Sequence, residues 1–520
     1  MRTRIAVCAL ALLVVAACAP PGNPNASAPV APSGPPDPSA VLRAAHAVGP
    51  VNLDPHLSTG LHDNLYIYPV YDRLIAEGEN GALEPMLATG WEFSEDRSAL
   101  ILTLRDDVVF HDGQHFDAAA VKANLERALS IPASAVATQL SAIGSADVVD
   151  EFTVRLNLDG PAGALVNALA ELGGAMISPA ALGNEDLASV PVGSGPWRLV
   201  DFRAGDRLVY EAFDQYWDEG AQGVVGLELV IQSDDETRLN AIRSGQVDST
   251  YIRGGQISQA EAAGLVVSNA TLLNHVIVSL NTARAEFADP RVRRAMQHAV
   301  NREELVTATF GHEECTPGVQ PWPAAYWAYS EDIGAERFAH DPELARTLLA
   351  EAGLAGGFSF TMEVSNVTAY PPVAEVLRAQ FGEVGIDMRI HVTESAQVRE
   401  NFQVNRSSDA ALGVWGGSLD PSEYVAAAHL PGGSYNPGDL ETPGIGELAQ
   451  MGLEATDLKG RRPIYHEMTD ILFGEEQPGS QIVLCNRTSV RVNSPQLTMN
   501  GAGVLLSGAY DWRYLTKSAS

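Results

Sequence analysis

The stretch from Trp91 to Arg127 constrains the fold most strongly, because it specifies a hairpin, a tight turn and a helix in that order. Apolar residues alternate with polar ones on both sides of a polar turn, which predicts two paired strands carrying Trp91, Phe93, Leu100, Leu102 and Leu104. Asp112-Gly113 predicts a tight turn, since glycine takes positive φ at little cost. Asp117 is the predicted N-cap of a helix with an apolar face of Val121, Leu125 and Leu129.

Three short motifs lie within this stretch: W-x-x-S-x-D, a strand ending in L-R-D, and V-x-F-H-D-G. In order and spacing they closely resemble the signature segment of the family 5 extracellular solute-binding proteins. These are the oligopeptide-, dipeptide- and nickel-binding receptors that serve ABC importers. A second, well separated match runs from Asn281 to Arg302 and follows most of the family pattern N-T-x-x-x-P-F-x-D-x-R-V-R-x-A. The resemblance extends over residues 51–490, nearly all of the predicted mature chain.

The resemblance implies an α/β fold of two lobes, the large three-subdomain variety of the type II periplasmic-binding-protein fold, with a ligand cleft between the lobes. The implied division is lobe I from residues 41–86, 190–282 and 487–520, an insert subdomain of lobe I from residues 87–189, and lobe II from residues 283–486. A length of 520 residues suits two or three domains. The residues themselves favour the α/β class in lobe II, where a strand, a helix and a second strand follow one another between residues 358 and 392.

The N-terminus has the pattern of a secretory signal, with a basic start and an apolar run from Ile5 to Val15. That run is too short to span a bilayer, which takes about 20 residues. Val15-Ala16-Ala17-Cys18 resembles a bacterial lipobox, so residues 1–17 are predicted to be removed and Cys18 to carry lipid. The alternative is an ordinary signal peptide with an incidental cysteine. Residues 18–40 are mostly Pro, Ala, Ser and Gly, which predicts a disordered tether.

Charge and cysteine content restrict the partners and the chemistry. The net charge of −32 argues against nucleic acid as a partner, because nucleic acid requires a basic face. Four cysteines are present, and Cys8 and Cys18 are assigned to the signal and the lipid. Cys315 and Cys485 remain, and outside the cytoplasm they could pair. The sequence leaves this open, since sequence separation does not reveal spatial distance.

The segment from Ala411 to Pro421 is the predicted centre of the ligand site. It resembles the family segment D-x-x-x-x-G-W-x-A-D-x-x-D-P, a strand that ends at the cleft, and it implies ligand contacts from Trp415, Gly416, Gly417, Ser418 and Asp420. In peptide-binding members an aspartate just after the tryptophan pairs with the amino terminus of the ligand. Gly417 or Ser418 stands at that place here, and the loop is one residue shorter. Peptides and other solutes, such as a metal chelate or a glycan, therefore both remain open as ligands.

Further ligand contacts are predicted from residue types. Trp322 and Tyr326 follow a proline-rich loop, where exposed aromatic rings would stack on a ligand, although packing between the lobes is an equal alternative. Arg399 and Arg406 offer bidentate donors to a carboxylate, although most such arginines are surface residues. Tyr435 and Asn436 complete the predicted set.

No catalytic or metal centre is predicted. The histidines of His111-x3-His115 flank the Asp112-Gly113 turn, His312-Glu313-Glu314-Cys315 lies on a predicted loop, and His466-Glu467-x-x-Asp470 lacks the second histidine of a zinc-protease helix. A nucleophile elbow G-x-S-x-G does not occur in the sequence.

The chain is therefore expected to be a monomeric, lipid-anchored, extracytoplasmic receptor without a cofactor that delivers a peptide or peptide-like solute to the permease of an ABC importer. The alternatives are a receptor for a non-peptide ligand, and an enzyme or sensor that reuses the fold.

Overall fold

The structure is a computed structural model that describes residues 34–60, 62–499 and 503–519. The predicted signal segment, Cys18 and most of the predicted tether lie outside the described residues. Within them, no helix has the length and apolar character needed to cross a membrane. Order begins earlier than predicted, because Pro36 bridges to Ser518 and the Asp37 N–H donates to the Lys517 carbonyl at 2.7 Å. The last residues assigned to the tether are thus held by the C-terminal segment.

The strands of the described residues are, in chain order, β1 (Val41–His46), β2 (Ile75–Glu77), β3 (Leu83–Pro85), β4 (Ala88–Phe93), β5 (Ala99–Leu104), β6 (Ile143–Asp150), β7 (Thr153–Leu158), β8 (Trp197–Arg203), β9 (Arg207–Ala212), β10 (Gly226–Ile231), β11 (Ser249–Tyr251), β12 (Val266–Leu280), β13 (Cys315–Pro317), β14 (Phe358–Ser365), β15 (Ile386–Thr393), β16 (Ala410–Trp415), β17 (Gln481–Asn493), β18 (Leu497–Met499) and β19 (Leu515–Lys517). The helices are α1 (Asn64–Ile67), α2 (Ala118–Ser130), α3 (Leu165–Ala168), α4 (Asp235–Arg243), α5 (Ile257–Ala262), α6 (Ala285–Ala288), α7 (Pro290–Ala299), α8 (Arg302–Ala308), α9 (Pro342–Glu351), α10 (Tyr370–Glu383), α11 (Ser395–Arg399), α12 (Pro421–His429), α13 (Ile445–Glu454) and α14 (Leu458–Leu472).

The elements predicted between Trp91 and Arg127 are confirmed. β4 and β5 pair antiparallel, with Phe93 opposite Leu100, inside a separate sheet of order β4-β5-β7-β6. Gly113 turns the chain with φ +85°, and the Asp117 carboxylate accepts the Ala120 N–H at 2.8 Å to cap α2. Alternation and capping were sufficient here because both are local effects.

The βαβ unit predicted in lobe II is also confirmed. β14 and β15 run parallel on either side of α10, and β14 pairs in parallel with β16. These strands belong to an eleven-stranded sheet of order β15-β14-β16-β12-β17-β11-β1-β10-β9-β8, with β13 alongside β17. The sheet therefore runs from one lobe into the other, with β12 and β17 at its middle.

The pairing of β12 with β17 breaks at the middle of the two strands. Thr271 faces Thr488 and His275 faces Asn486, so Leu272, Leu273 and Asn274 lie opposite Arg487 alone. A bulge of this kind interrupts the hydrogen-bond ladder and bends the strand that carries the extra residues. We call this break, residues 272–274 with Arg487, the bending point of the sheet.

The described residues form five apolar cores, of which the three largest stabilise the two lobes and the insert. One lies in lobe I around Tyr66, Trp197 and Trp512, and a second in lobe II around Phe287, Met362 and Phe381. The third unites the insert with lobe II segments 319–338 and 419–473, which pack against α2 and α3 and their neighbours.

A disulfide between Cys315 and Cys485 joins β13 to β17, with 5.6 Å between the Cα atoms.

Candidate ligand-binding site

A cavity of about 310 Å³ lies between the lobes, beside the break in β12. The segments assigned to lobe I contribute His46, His62, Tyr251, Arg253, Val276, Arg491 and Tyr510 to its wall. The segments assigned to lobe II contribute Phe310, Glu314, Tyr370 and Val414, and the bending point contributes Leu272, Asn274 and Arg487. The volume is at the lower end of the roughly 300–1,000 Å³ common for small-molecule sites, which favours a compact solute.

Charge in this cavity is opposite in sign to that of the whole chain. The described lining contains three arginines, Arg253, Arg487 and Arg491, and one acidic residue, Glu314, which leaves a surplus of two positive charges. Two of the arginines compete for Glu314, whose Oε2 lies 3.5 Å from Arg253 Nη1 and 3.4 Å from Arg487 Nη2. The Glu314 carboxylate also accepts the Gly254 N–H at 2.8 Å.

The histidines of the cavity add no charge at neutral pH. The rings of His46 and His62 pack against each other at a tilt of 57°, with their centroids 5.1 Å apart. Burial, with a smaller contribution from the neighbouring His62, lowers the pKa of His46 to about 3. Burial also lowers the pKa of His62 below its ordinary value. Both rings are therefore neutral at pH 7, so the arginines determine the sign of the cavity.

The predicted segment after β16 lies beside this cavity. Val414 lines the cavity, whereas the ring of Trp415 packs edge-on against Tyr424 and Tyr435 at centroid distances of 5.1 and 5.4 Å. The Gly417 N–H donates to Asn274 Oδ1 at 3.0 Å. A Cβ on Gly417 would lie 2.8 Å from both Asn274 Oδ1 and Leu273 Cβ, so a side chain does not fit at this position without rearrangement. Glycine at 417 thus allows the turn to close against the bending point.

The Asp420 carboxylate is hydrogen-bonded to other residues of the protein. Its carboxylate receives two hydrogen bonds from Arg461, at 2.6 and 2.8 Å, and one from Asn167 Nδ2 at 2.6 Å. It also caps α12 by accepting the Ser422 N–H at 3.0 Å. Burial acts to raise the pKa of Asp420, but the charge of Arg461 and the hydrogen bonds outweigh it and hold that pKa below its ordinary value. Its position is thus explained by the fold alone, and its ligand contact stays a prediction.

Contacts around Asp420 also join the insert to lobe II. Glu171 accepts the Leu419 N–H at 3.1 Å, and Ser418 Oγ hydrogen-bonds to Glu423. Burial raises the pKa of Glu423 to about 7, and the charge of Asp420 adds to the effect. Burial likewise raises the pKa of Glu171, with a further contribution from Glu423. Ser418 therefore belongs to a buried polar network as well as to the predicted ligand segment.

The other predicted contacts divide into packed and exposed residues. Trp322 and Tyr326 are only 3% and 2% exposed, and they donate hydrogen bonds to Thr469 Oγ1 and the Leu419 carbonyl. Trp322 nevertheless lines a second cavity of about 750 Å³ on the lobe II side. Arg399 is exposed. Burial raises the pKa of Tyr435, and the charge of the nearby Arg399 partly offsets that effect.

Arg406 and Asn436 are used by the loop that contains them. Arg406 pairs with Asp439 at 2.9 Å, and Asn436 hydrogen-bonds to Leu430 and Leu440 with both ends of its amide. The structure thus brings Trp415, Gly416, Gly417, Ser418 and Tyr435 together beside the cavity, with Trp322 and Tyr326 behind them. None of the predicted contacts is in the described lining of the 310 Å³ cavity.

The sequence alone does not single out the residues that carry the charge of the cavity. Arg487 and Arg491 are four apart on β17, so they share one strand face, and this spacing was the available signal. Glu314 was considered only as part of a possible metal cluster. The described residues contain no group of three or more potential metal ligands. His111, another candidate, hydrogen-bonds through Nε2 to the Gly195 carbonyl at 2.9 Å.

Comparison with known proteins identifies the family. The family model for bacterial extracellular solute-binding proteins, family 5, matches residues 82–436, which is more than half of the chain. The chain belongs to this family. It is thus an extracytoplasmic solute-binding protein of the kind that serves ABC importers, with the two-lobed α/β fold.

The proteins that this chain resembles differ in what they bind. The chain is 28% identical over 441 residues to the glutathione-binding protein GsiB of Salmonella paratyphi A, covering 81% of this chain and 85% of that protein. It superposes on NikA of Brucella suis in complex with Fe(III)-EDTA with a TM-score of 0.81 and 25% identity, covering 92% and 100% of the two chains. It superposes on AgaA of A. tumefaciens R10, in complex with agropinic acid, with a TM-score of 0.78 and 24% identity. That superposition covers 92% of this chain and 99% of AgaA. Family membership alone therefore leaves the ligand open.

Proposed function

We propose that this protein captures a short peptide or peptide-like solute between its lobes and delivers it to the permease of an ABC importer. The observation that carries the proposal is the cavity at the break in β12, which both lobes enclose. Backbone and side-chain donors from both lobes surround it, so a bound solute would contact the two lobes at once. The similarity to a glutathione-binding protein supports a peptide-like ligand.

Binding operates through closure of the lobes. The bend at residues 272–274 allows rotation while the pairing on either side is kept. A solute that contacts both lobes stabilises the closed state over the open one, because it forms both sets of contacts only when they approach. Arg487 and Asn274 lie at the bending point itself and line the cavity, so a ligand that contacts them would act directly on the segment at which the lobes close. The cycle requires no covalent chemistry, and we propose that the protein is not an enzyme.

Native mass spectrometry of the purified protein, repeated after denaturation, tests this function. We expect released masses that correspond to short peptides or γ-linked peptides, and added glutathione to be recovered unchanged. A metal adduct or a sugar as the sole bound mass would favour one of the non-peptide ligand classes. Recovery of a hydrolysed product would contradict the receptor function and support an enzyme.

Replacing Trp415 by alanine is expected to weaken ligand binding by tenfold or more, because the ring holds Tyr435 and the 416–418 turn beside the cavity. Isothermal titration with the released ligand measures the loss. Trp91→Ala is the matched control, since Trp91 is also half-buried but belongs to the insert sheet, away from the cavity. Equal affinity of the Trp415→Ala and wild-type proteins would show that this segment does not support the ligand.

We also propose that the protein is a monomer held at the outer face of a bacterial membrane by lipid on Cys18. Replacing Cys18 by serine should move the protein from the membrane fraction to the soluble fraction, because the thiol is the group that receives the lipid. Immunoblotting of the two fractions checks this. Cys8→Ser, in the part of the signal that is removed, is the control and should leave the distribution unchanged. Continued membrane attachment of Cys18→Ser would refute the lipoprotein assignment.

A further inference from the structure

Two arginines on β17 present hydrogen-bond donors that the protein itself does not use. Arg487 Nη1 and Arg491 Nε are buried, and neither has an acceptor among the described residues. Buried polar groups are nearly always hydrogen-bonded, so unpaired donors on the wall of a cavity call for an explanation. Both arginines line the cavity between the lobes.

Each of these guanidinium groups is fixed in place by its other contacts. Arg487 lies over the ring of Phe310, 4.7 Å from its centroid, and Arg491 lies over Tyr510 at 4.3 Å. Arg491 Nη2 also donates to Ser249 Oγ at 3.0 Å. Stacking on an aromatic face leaves the edge of the guanidinium free for a bidentate anion. The donors are therefore positioned before any ligand arrives.

Acidic residues neutralise the positive charge of Arg487 only weakly, and none of the described acidic residues pairs with Arg491. Arg487 reaches Glu314 only at 3.4 Å and shares that carboxylate with Arg253. Arg253 has a second partner in Asp235, at 2.9 Å. No carboxylate of the described residues forms an ion pair with Arg491. Buried charge is costly when unpaired, so an anionic ligand would stabilise the cavity at both arginines.

The separation of the two arginines limits what can satisfy both. A strand rises about 3.3 Å per residue, so residues 487 and 491 have Cα atoms roughly 13 Å apart along β17. Each guanidinium group is held against its own aromatic ring, Arg487 over Phe310 and Arg491 over Tyr510, so two separate anionic groups suit the pair better than one. A peptide extends by at most about 3.3–3.6 Å per residue, so a chain of about three residues can place one anionic group near each arginine.

We propose that the cavity selects a compact, extended peptide-like solute with two carboxylates, one bound by Arg487 and the other by Arg491. This inference rests on the proposed function and specifies its ligand class. Glu314, beside Arg487, provides the one negative charge of the described lining and suits the single ammonium of such a solute. Peptides with an acidic or γ-linked residue at one end and a free carboxyl terminus at the other, such as glutathione, have this pattern.

The experiment is a binding series on the full mature protein with four tripeptide probes that differ in charge and with one small anion. The probes are glutathione, its glycine monoethyl ester, Ala-Ala-Ala, Lys-Ala-Lys and inorganic phosphate. We expect glutathione to bind at least tenfold more tightly than the monoester and than trialanine, and Lys-Ala-Lys not to bind measurably. Isothermal titration at two salt concentrations gives the affinities.

Variants assign the carboxylates to the arginines. Arg487→Met and Arg491→Met should each lower glutathione affinity tenfold or more, while one of the two should bind the monoester no worse than the wild-type protein does. The effects of that substitution and of the ester on affinity would then not add, which identifies the arginine that contacts the glycine carboxylate. An arginine with a purely structural role would weaken the binding of both probes equally. Arg487→Lys should retain part of the affinity. Arg389→Met is the matched control, because Arg389 is 67% exposed on β15.

The outcomes separate this inference from the proposed function. Equal affinity for trialanine and glutathione would show that the cavity does not select for two carboxylates. The proposed function as a peptide receptor would still stand. If phosphate binds as tightly as glutathione, one small anion satisfies the site, and the proposal that each arginine binds its own carboxylate is wrong. Failure of every peptide probe, with a metal adduct or a sugar released from the purified protein, would overturn both.

Discussion

Replacing Asp420 by asparagine is expected to lower the free energy of unfolding by about 3–5 kcal/mol, the usual range for breaking one side of a buried ion pair. Arg461 and Asp420 have side chains that are only 3% and 2% exposed, so the remaining arginine would be an uncompensated buried charge. The substitution also weakens the cap of α12 and the link to Asn167 in the insert. Chemical denaturation monitored by tryptophan fluorescence measures the loss.

Two further variants test the reason for that loss. In Asp439→Asn the broken pair with Arg406 lies at the surface, and surface pairs contribute only about 0–1 kcal/mol. The double variant Asp420→Leu/Arg461→Met should be more stable than Asp420→Asn, because it leaves no unpaired charge. If Asp420→Asn keeps its stability and loses ligand affinity instead, Asp420 contacts the ligand directly, as the family resemblance implies.

Removing the disulfide with Cys315→Ala and Cys485→Ala is expected to cost about 2–5 kcal/mol, since the cross-link restricts the unfolded chain over a long loop. The two cysteines are 170 residues apart in sequence. Ligand affinity should fall as well, because Cys315 follows Glu314 directly and β13 holds its place by pairing with Cys485 to Arg487. Thermal melting and titration calorimetry measure the two effects.

Reduction provides the control for this prediction. A strong reductant should lower the melting temperature of the wild-type protein and leave that of the double variant unchanged. Thiol titration of the unfolded, unreduced mature protein should find no free thiol at these two positions. Detection of two free thiols there would show that the bond does not form.

The insert and the cavity differ in how far sequence could predict them. The hairpin β4-β5, the turn at Gly113 and the cap at Asp117 follow from alternation, glycine and capping, which act within a few residues. The family resemblance places Asp420 after a strand that ends at the cleft, but its partner Arg461 is 41 residues away and could not be inferred. The charge of the cavity was missed for the same reason, because Arg253, Glu314 and Arg487 meet only in space.

The sequence by itself determined the family, the α/β class and the local elements, because motif order, periodicity and capping are properties of neighbouring residues. The tertiary structure alone decided that Trp322 and Tyr326 are buried, that Gly417 closes against Asn274, and that β12 bends opposite Arg487. It also decided which charges face the ligand space. These features depend on how strands distant in sequence pair across the sheet, and the register of β12 against β17 is fixed only when both lobes have folded.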